Sequence, residues 1–452
     1  MRQSRKPATV NENPSDPGYP TRVAAWYSVF VLMVCYTFSF VDRLVIAFLV
    51  TPLKHDLHLT DTQIGLLQGF AFAMFYSILG IPFGLAADRV NRRRLIVLGV
   101  TAWSLMTSLG CIARSFTTLI LARMGVGVGE ATLAPAAFSL IADSFPRDRL
   151  SSALSVYSMG VQVGAGLALV LGGLIVQTVT HMPPLDVPIL GRMAAWQLTF
   201  LLVGAPGIFI ALLVSTIREP PRSRASGNQL APQNVGLSRT VVEIRLRWRS
   251  TLGICIILAT QAMSNYAFSS WCPAFIERVH HWPKSQIGLF LGSLNIVVGC
   301  LGLICGGRLA DHWLRRGAAD APLRVGLVGY VGVFMTLVPA MLAPSIGMTM
   351  TLLVPGVFCM SLPIGTLFAS IQMIYPNEVR GTVSSMAIIV LNLVGLSVGA
   401  LLPGLLCDKI FHSELMLGPA IAATVTLATF IGSAAVLVFR GAYCRDFRAA
   451  TS

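Results

Sequence analysis

GLAADRVNRRR, residues Gly84–Arg94, recurs in degenerate form further along the chain, and this recurrence decides the fold. The upstream run QIGL at 63–66 recurs as QIGL at 286–289 with the same offset, since 286 − 63 = 223. Nine positions agree without a gap, and the remaining pairs are Gly69 with Gly292, Gly84 with Gly307, Asp88 with Asp311, Arg92 with Arg315 and Arg93 with Arg316. Self-similarity at a fixed offset is the signature of an internal repeat. The chain is therefore predicted to be a duplicated unit.

Long apolar runs surround both copies of this stretch. The 452 residues are 55% apolar and 12% charged, with a mean hydropathy of +0.73, far from the averages of soluble domains. Runs of about 18 to 25 residues can cross a bilayer as helices, and the chain has twelve of them, near 23–50, 62–87, 93–112, 116–142, 150–178, 194–216, 251–274, 285–308, 322–343, 346–372, 379–405 and 414–439. The predicted fold is an all-α polytopic membrane protein with twelve transmembrane helices.

The duplication predicts two pseudo-symmetric six-helix bundles. We expect an N-terminal bundle over residues 1–216 and a C-terminal bundle over 251–452. Residues 217–250 are rich in Pro, Ser, Gly, Asn and Arg, which is typical of a linker. Parallel duplicated halves of this kind are a transporter architecture, with the substrate site where the halves meet.

Basic residues lie in short segments between the apolar runs, although the net charge is +14. Arg218–Arg249 alone contains seven arginines and two glutamates. Cytoplasmic loops carry an excess of Lys and Arg, so these segments and both termini are predicted to be cytoplasmic in a multi-pass protein of the cell membrane, the inner membrane if the source is a bacterium. No single basic domain is present, which argues against nucleic-acid binding. The nine cysteines show no metal-ligand spacing, so we expect no metal site.

The quoted stretch resembles the loop signature G-x-x-x-D-R-x-G-R-R of the major facilitator superfamily, with Asn91 where the signature has Gly. This resemblance implies a cytoplasmic latch that holds the halves together when the cavity opens outward and releases them when it opens inward. The latch residues are Gly84, Asp88, Arg89, Arg92, Arg93, Gly307, Asp311 and Arg315. The two glycines are expected to let helices approach closely. The alternative is that the arginines only orient the protein and contact anionic lipid.

Four charged residues lie at membrane depth, namely Asp42 and Arg43 in the first predicted helix and Arg123 and Glu130 in the fourth. A charge there costs about 2.5 to 3.5 kcal/mol on insertion scales, which makes each one a functional candidate. Arg123 and Glu130 share a helical face but are two turns apart, and adjacent residues point about 100° apart, so neither pair closes on itself. We therefore predict pairing across the helices, Asp42 with Arg123 and Arg43 with Glu130.

This pairing suggests a proton switch. A buried carboxylate beside an arginine stays charged, whereas one deprived of that partner in a dry site takes up a proton more readily. Asp42 and Glu130 are predicted to exchange protons as Arg43 changes partner, with Arg43 and Arg123 as the charge partners. A static ion pair between the two helices is the alternative.

The glycines of MGVGVGE, residues Met124–Glu130, do not form a phosphate-binding loop, because apolar helix continues on both sides. Gly127 shares the face of Arg123 and Glu130, and we expect it to thin the fourth helix where the first approaches. The pair Asp42-Arg43, together with Arg123 and the segment GVGEA at 127–131, resembles the Spinster group of the superfamily. That resemblance implies a lysolipid or sphingoid solute and, for bacterial members, coupling to protons.

Resemblance to the superfamily also implies a cavity lined by the first, fourth, seventh and tenth helices. The expected lining is aromatic with few polar groups, and consists of Tyr36, Phe40, Gly127, Asn265, Tyr266, Phe268, Trp271, Met360 and Gln372. Such a lining suits an amphipathic substrate. The alternative for each aromatic side chain is packing against lipid or a neighbouring helix.

The sequence therefore predicts a carrier of a small amphipathic or lipid-like substrate, acting as a monomer in membrane lipid, with the proton as coupling ion and no cofactor. A multidrug or organic-anion/proton transporter is the alternative within this class. An integral-membrane lipid-modifying enzyme and a non-transporting receptor are the alternatives from other classes. Against the enzyme, no Ser-His or His-Asp arrangement lies at a membrane face.

Overall fold

The computed structural model of the chain describes residues 20–87, 89–145, 147–180, 185–187, 191–220 and 237–451. Within these ranges, twelve helices are long and apolar enough to cross a membrane, which confirms the predicted number. They are α1 (Arg22–Phe48), α2 (Asp61–Ala87), α3 (Arg92–Ile112), α4 (Phe116–Ser144), α5 (Ala153–Val179), α6 (Ala195–Ser215), α7 (Trp248–His280), α8 (Lys284–Arg315), α9 (Ala321–Leu342), α10 (Ile346–Ile374), α11 (Thr382–Phe411) and α12 (Glu414–Ala450).

Polar side chains mark where several of these helices begin. Thr60 accepts a hydrogen bond from the Gln63 amide and forms a capping box at the start of α2. Ser115, Asn91 and Ser345 cap α4, α3 and α10 in the same way, each accepting from an amide three residues on. Such caps satisfy amides that have no partner within the helix. The helix boundaries thus follow from local sequence.

Shorter elements join the spanning helices. Helix Val50–Leu57 follows α1, and strands Leu185–Val187 and Gly191–Met193 pair in antiparallel between α5 and α6. This strand pair is the only departure from an all-helical fold in the ranges given above. The segment predicted as a linker at 217–250 contains helix Leu237–Leu246 and the first turn of α7, while residues 221–236 lie outside the described part.

The two six-helix groups meet mainly at one end of the molecule. There α5 packs against α8 and α2 packs against α11. We call the end at which α2 and α8 begin the closed end, and the opposite end the open end. A single apolar core spans both groups at the closed end, and its largest members include Phe48, Trp196, Trp271 and Phe275. Burial of these side chains holds the two halves together there.

Glycines of the repeated QIGL run permit this contact. A Cβ built on Gly288 would lie 2.3 Å from the carbonyl oxygen of Leu169 on α5. A Cβ on Gly65, the equivalent residue of the first copy, would lie 2.7 Å from the carbonyl oxygen of Ala400 on α11. Both distances are too short for a side chain, so each position requires glycine for the backbones to approach.

The predicted role of Gly84 and Gly307 in close helix packing is wrong for this conformation. A Cβ on Gly84 would meet only the Cβ of Pro135, at 3.9 Å, and a Cβ on Gly307 would meet nothing within 4 Å. Both residues lie toward the open end, where the described halves make few contacts. Close approach is instead a property of Gly65 and Gly288, at the other end of the same repeat.

Four π-helical segments lie in the spans that form the contact between the halves; three interrupt a span and the fourth ends one. They are Leu66–Phe70 in α2, Asn295–Gly299 in α8, and Leu391–Leu396 and Cys407–Phe411 in α11. Spans α4 and α10 are each divided as well, after Glu130 and after Ser361. Helices that carry the halves' contacts are thus irregular at several points along their length, and π-helical turns are frequent at functional sites.

Candidate functional site

Four buried charged residues on α1 and α4 form the candidate site, which we call the charge cluster: Asp42, Arg43, Arg123 and Glu130. Arg43 Nη2 donates to Glu130 Oε2 at 2.6 Å. Arg123 Nη1 lies 3.6 Å from Asp42 Oδ1, an ion pair too long for a hydrogen bond. Each residue is at most 8% exposed. Both cross-helix pairs predicted from the sequence are therefore present.

Hydrogen bonding within the charge cluster is incomplete. Thr107 on α3 donates to Asp42 Oδ2 at 2.5 Å, and Arg123 Nη2 lies 3.5 Å from the Arg43 carbonyl oxygen. Asp42 Oδ1, Glu130 Oε1 and the Nε atoms of both arginines are buried without a hydrogen-bond partner in the described structure. Buried unsatisfied oxygens of this kind are costly. Each carboxyl group thus keeps one oxygen without a hydrogen-bond partner among the described residues.

Aromatic rings surround the Arg43 guanidinium. Its Cζ lies 4.3 Å from the ring centre of Phe72, 4.8 Å from that of Phe40 and 5.4 Å from that of Tyr76. These cation–π contacts stabilise the charge independently of a carboxylate. Phe72 and Tyr76 were missed by the sequence reasoning, which took the lining from α1, α4, α7 and α10.

Four of the predicted cavity residues remain partly accessible, namely Tyr36, Phe40, Asn265 and Tyr266. Tyr36 stacks on Tyr157, with 4.9 Å between the ring centres. The side chain of Asn265 makes no hydrogen bond to any described residue. An amide without a protein partner in a spanning helix is suited to bind a solute.

Three predicted cavity residues instead belong to the apolar core. Phe268, Trp271 and Met360 are at most 3% exposed and pack at the closed end. The Trp271 indole donates to the Ala400 carbonyl oxygen at 2.7 Å, which ties α7 to α11. The Met360 carbonyl accepts from Gln261 Nε2 at 2.6 Å. Their assignment to the cavity lining is wrong in this conformation, because the closed-end contact covers them.

Gly127 and Gln372 also differ from expectation. A Cβ on Gly127 would lie 2.7 Å from the Phe72 carbonyl oxygen, so this glycine allows the close approach of α2 rather than of α1. The predicted thinning of α4 therefore occurs, but toward a different neighbour. Gln372 is exposed and donates to Ser384 Oγ on α11 at 3.0 Å.

The latch arginines of the first copy, Arg92 and Arg93, form their contacts within the N-terminal half and the chain that follows it. Arg92 is buried and donates to Asp143, and its Nε lies 2.9 Å from Glu219 Oε1. Arg93 donates to the carbonyl oxygens of Ser215 and Ile217 at 3.3 and 3.2 Å. These contacts join α3 to α4, to the last residue of α6 and to the chain that follows it. They do not bridge the two halves.

The other latch residues are accessible. Arg89, Asp311 and Arg315 are exposed, and none forms an ion pair with a described residue. Asp88 lies outside the described residues. The described latch residues therefore make no contact between the halves in this conformation.

Replacing Glu219 by Gln is expected to lower the apparent melting temperature at neutral pH by about 2 °C, a hydrogen-bond-sized loss. Partial burial raises the pKa of Glu219, but hydrogen bonds donated by Arg93 and Arg92 lower it by a larger amount. The pKa of this carboxyl group is therefore below its ordinary value. The carboxylate therefore stabilises the fold above the unfolded pKa, about 4.3, and this contribution disappears as the pH falls through the lower folded value. Thermal unfolding of the two proteins from pH 7 to 3.5 checks this. A difference that widened on acidification would contradict it.

A second set of charges, which the sequence reasoning missed, joins the halves at the closed end. We call Lys54, Asp61, Arg278, Asp408 and Glu414 the closed-end cluster. Lys54 Nζ donates to Asp61 Oδ1 at 2.8 Å and to Glu414 Oε1 at 2.7 Å. Arg278 reaches both oxygens of Asp61 at 3.2 and 3.3 Å. Asp61, with no exposed surface, thus binds cations from both halves.

Asp408 caps the start of α2 from the other half. Its carboxylate accepts from the amides of Asp61 and Thr62 at 3.2 and 2.6 Å, and from the Thr62 hydroxyl at 2.6 Å. A cavity of about 270 Å³ lies beside these residues, and Cys407 forms part of its wall. The closed end is therefore held by charge-assisted hydrogen bonds as well as by apolar packing.

Comparison with known proteins agrees with this architecture. The family model described as Major Facilitator Superfamily matches residues 32–400. An "MFS-type efflux pump" of Mycolicibacterium smegmatis is 29% identical over 97% of both chains. "Protein spinster homolog 1" of Xenopus tropicalis is 26% identical over 84% of this chain and 73% of its own.

A solved structure is similar over nearly the whole length. It is the crystal structure of a bacterial homologue of the human lysosomal transporter Spinster in an inward-facing and unoccupied conformation, with 26% identity and a TM-score of 0.75 over 96% of this chain and 98% of that one. The family match, the twelve spans and the two halves joined at one end lead to one assignment. The chain belongs to the Major Facilitator Superfamily and is a transporter of its Spinster type.

Proposed function

We propose that this transporter couples the movement of protons to that of an amphipathic solute of the lysolipid or sphingoid class, by alternating access. The observation that carries the proposal is the charge cluster, in which two buried carboxylates each keep one unpartnered oxygen beside an arginine. Intramembrane carboxylates of this kind mark proton relays.

The geometry suits a change of partner at Arg43. A proton on Glu130 would remove the charge that Arg43 binds at 2.6 Å. The rings of Phe72, Phe40 and Tyr76 would then continue to stabilise the guanidinium, so the loss of Glu130 does not leave a bare buried charge. Protonation can thus loosen α1 from α4 without trapping the arginine. Asp42, held by Thr107 and more distantly by Arg123, supplies the second proton site.

The surroundings of the charge cluster favour an amphipathic solute. Tyr36, Phe40, Tyr76 and Tyr266 are half-buried and offer apolar ring faces, and the three tyrosines add hydroxyl groups. Asn265 adds an amide with no hydrogen bond to a described residue. Predominantly apolar walls with a few polar groups are typical of small-molecule sites. The arginines can receive an anionic or zwitterionic headgroup.

Orientation follows from charge. The open end carries Arg89, Arg93, Arg94 and Arg315, and basic segments favour the cytoplasmic side. We infer that the open end faces the cytoplasm of a cell membrane, so that the closed end faces outward and both termini are cytoplasmic. This conformation then corresponds to the inward-facing state named for the solved homologue. The transporter is proposed to act as a monomer.

Transport by the purified protein in proteoliposomes tests the proposal. Tritiated lysophosphatidylcholine and sphingosine are presented with an imposed pH gradient, with its reverse, and without one. We expect accumulation that follows the gradient and collapses with a protonophore. Accumulation that ignores the sign of the gradient would contradict proton coupling, and absence of transport for both lipids would contradict the solute class.

Export of drugs is the second candidate function, because the mycobacterial relative named as an efflux pump covers nearly the whole chain. The same vesicles distinguish the two candidates. Gradient-driven movement of a cationic dye such as ethidium, without movement of either lipid, would favour the efflux function. Organic anions belong in the same panel.

A further inference from the structure

Three uncharged polar side chains from three spans converge beside Gly299 on α8. A Cβ built on Gly299 would lie 3.5 Å from Ser361 Oγ, 3.6 Å from Asn295 Oδ1 and 3.7 Å from Gln162 Nε2. Gln162 belongs to α5, Asn295 to α8 and Ser361 to α10. Both halves of the molecule therefore contribute polar atoms around one point, and the missing side chain of Gly299 leaves that point open.

The hydrogen-bonding capacity of this group is unused by the protein. None of Gln162, Asn295 and Ser361 makes a side-chain hydrogen bond to a described residue. Ser361 is 3% exposed and the two amides are half-buried, so water satisfies them at most in part. Amides and hydroxyls in spanning helices ordinarily find a partner. Together the three can both donate to and accept from a bound group.

The group lies where the contact between the halves ends. Toward the closed end, Gly166 of α5 meets Gly292 of α8, since a Cβ on Gly166 would be 3.0 Å from the Gly292 carbonyl oxygen. Gln162 precedes Gly166 by four residues, about one turn or 6 Å toward the open end. The polar group therefore borders the space that opens between α5 and α8.

The internal repeat gives these positions a counterpart in the other half. With the offset of 223, Asn295 and Gly299 correspond to Phe72 and Tyr76, since 295 − 223 = 72 and 299 − 223 = 76. Phe72 and Tyr76 contact Arg43 of the charge cluster. In the first copy these positions hold two aromatic rings that contact the Arg43 guanidinium. In the second copy they hold the amide of Asn295 and the open space beside Gly299. Asn295–Gly299 is also a π-helical segment, a feature frequent at functional sites.

We propose that Gln162, Asn295 and Ser361 form a subsite for an uncharged hydrogen-bonding group of the solute, a hydroxyl or carbonyl that occupies the space beside Gly299. The inference rests on the proposed function and narrows it. The preferred solute carries such a group next to its charged head, as the glycerol hydroxyl and ester carbonyl of a lysophospholipid do.

A pair of lipids with one headgroup tests this subsite. Lysophosphatidylcholine has the free hydroxyl and the ester carbonyl, and hexadecylphosphocholine lacks both. In maltoside micelles, each unlabelled lipid competes with tritiated lysophosphatidylcholine for the purified protein. We expect the wild type to prefer lysophosphatidylcholine by about tenfold, the size of one or two hydrogen bonds. Gly299→Ala is expected to lose that preference, with the affinity for hexadecylphosphocholine unchanged.

Gly299→Ala tests the subsite directly, because the new methyl group would lie 3.5 to 3.7 Å from the three polar atoms, which are ordinary contact distances. It therefore fills the space without displacing a neighbour. Asn295→Ala, which removes an amide, is expected to act in the same direction. Gly80→Ala is the matched control, because a Cβ there meets nothing within 4 Å, and it should retain the preference.

The possible results distinguish a failure of the proposed subsite from a failure of the proposed solute class. If the wild type binds both lipids equally, or if Gly299→Ala and Asn295→Ala keep the preference, the subsite is wrong and the lipid class stands. If the wild type binds neither lipid, the proposed solute class is wrong and the subsite falls with it.

Discussion

Glu130→Gln is expected to reduce gradient-driven accumulation of the solute by about a hundredfold or more. The substitution keeps the shape of the side chain but removes the charge that Arg43 binds at 2.6 Å. Without an ionisable carboxyl group at this position no proton moves with the solute, so an imposed pH gradient no longer drives accumulation. Loss of a coupling free energy of about 3 kcal/mol corresponds to about a hundredfold. Asp42→Asn should act in the same direction. Uptake into proteoliposomes under an imposed pH gradient measures both effects.

Exchange without a gradient distinguishes a proton switch from a static ion pair. A switch predicts that Glu130→Gln still exchanges internal for external solute, because the uncharged side chain mimics the protonated state. A static pair predicts that accumulation and exchange fall together. Glu243→Gln is the matched control, since it removes a carboxylate from the short helix Leu237–Leu246, away from the charge cluster. Full proton-driven accumulation in both Asp42→Asn and Glu130→Gln would rule the switch out.

Asp61→Asn is expected to open the closed end. Asp61 is fully buried between Lys54 and Arg278, which are 12% and 8% exposed. Without its charge, Lys54 and Arg278 keep only the exposed carboxylate of Glu414 between them, and breaking the buried side of this network costs the closed conformation about 3 to 5 kcal/mol. The labelling rate of Cys407, now 2% exposed in the adjoining cavity wall, should rise by about a hundredfold. A membrane-impermeant maleimide with peptide mass spectrometry measures that rate.

Glu414→Gln is the control for this prediction. Glu414 binds the same Lys54 but is 60% exposed, and a solvent-exposed ion pair contributes about 1 kcal/mol at most. The labelling rate of Cys407 in this variant should stay within about fivefold of the rate in the wild type. Equal rates in the two variants would show that the closed-end cluster does not hold the halves together.

The elements of this fold could be predicted because their causes are local. The lengths of the apolar runs set the number of spans, and Thr60, Ser115 and Ser345 mark where three of them begin. The pairing within the charge cluster was also within reach. Rise per residue places Asp42 and Arg123 at one depth, and helical period shows that neither helix can satisfy its own charges.

The neighbour that each face meets could not be predicted in this way. Helical period showed that Gly127 shares a face with Glu130, but not that α2 would occupy that face. Trp271 reads as a lining residue until the closed-end contact covers it. The closed-end cluster joins residues 217 and 347 positions apart, such as Asp61 with Arg278 and with Asp408, and charges near span ends look ordinary in a sequence.

Each π-helical turn within α2, α8 and α11 contains one residue more than an α-helical turn would. Because of this extra residue, the segments on either side are out of phase by about 100°. Transfer of the extra residue along the helix would rotate one segment against the other, while most backbone amides keep a carbonyl partner. The halves can therefore bend at Leu66–Phe70, Asn295–Gly299 and Leu391–Leu396 without exposing broken backbone to lipid.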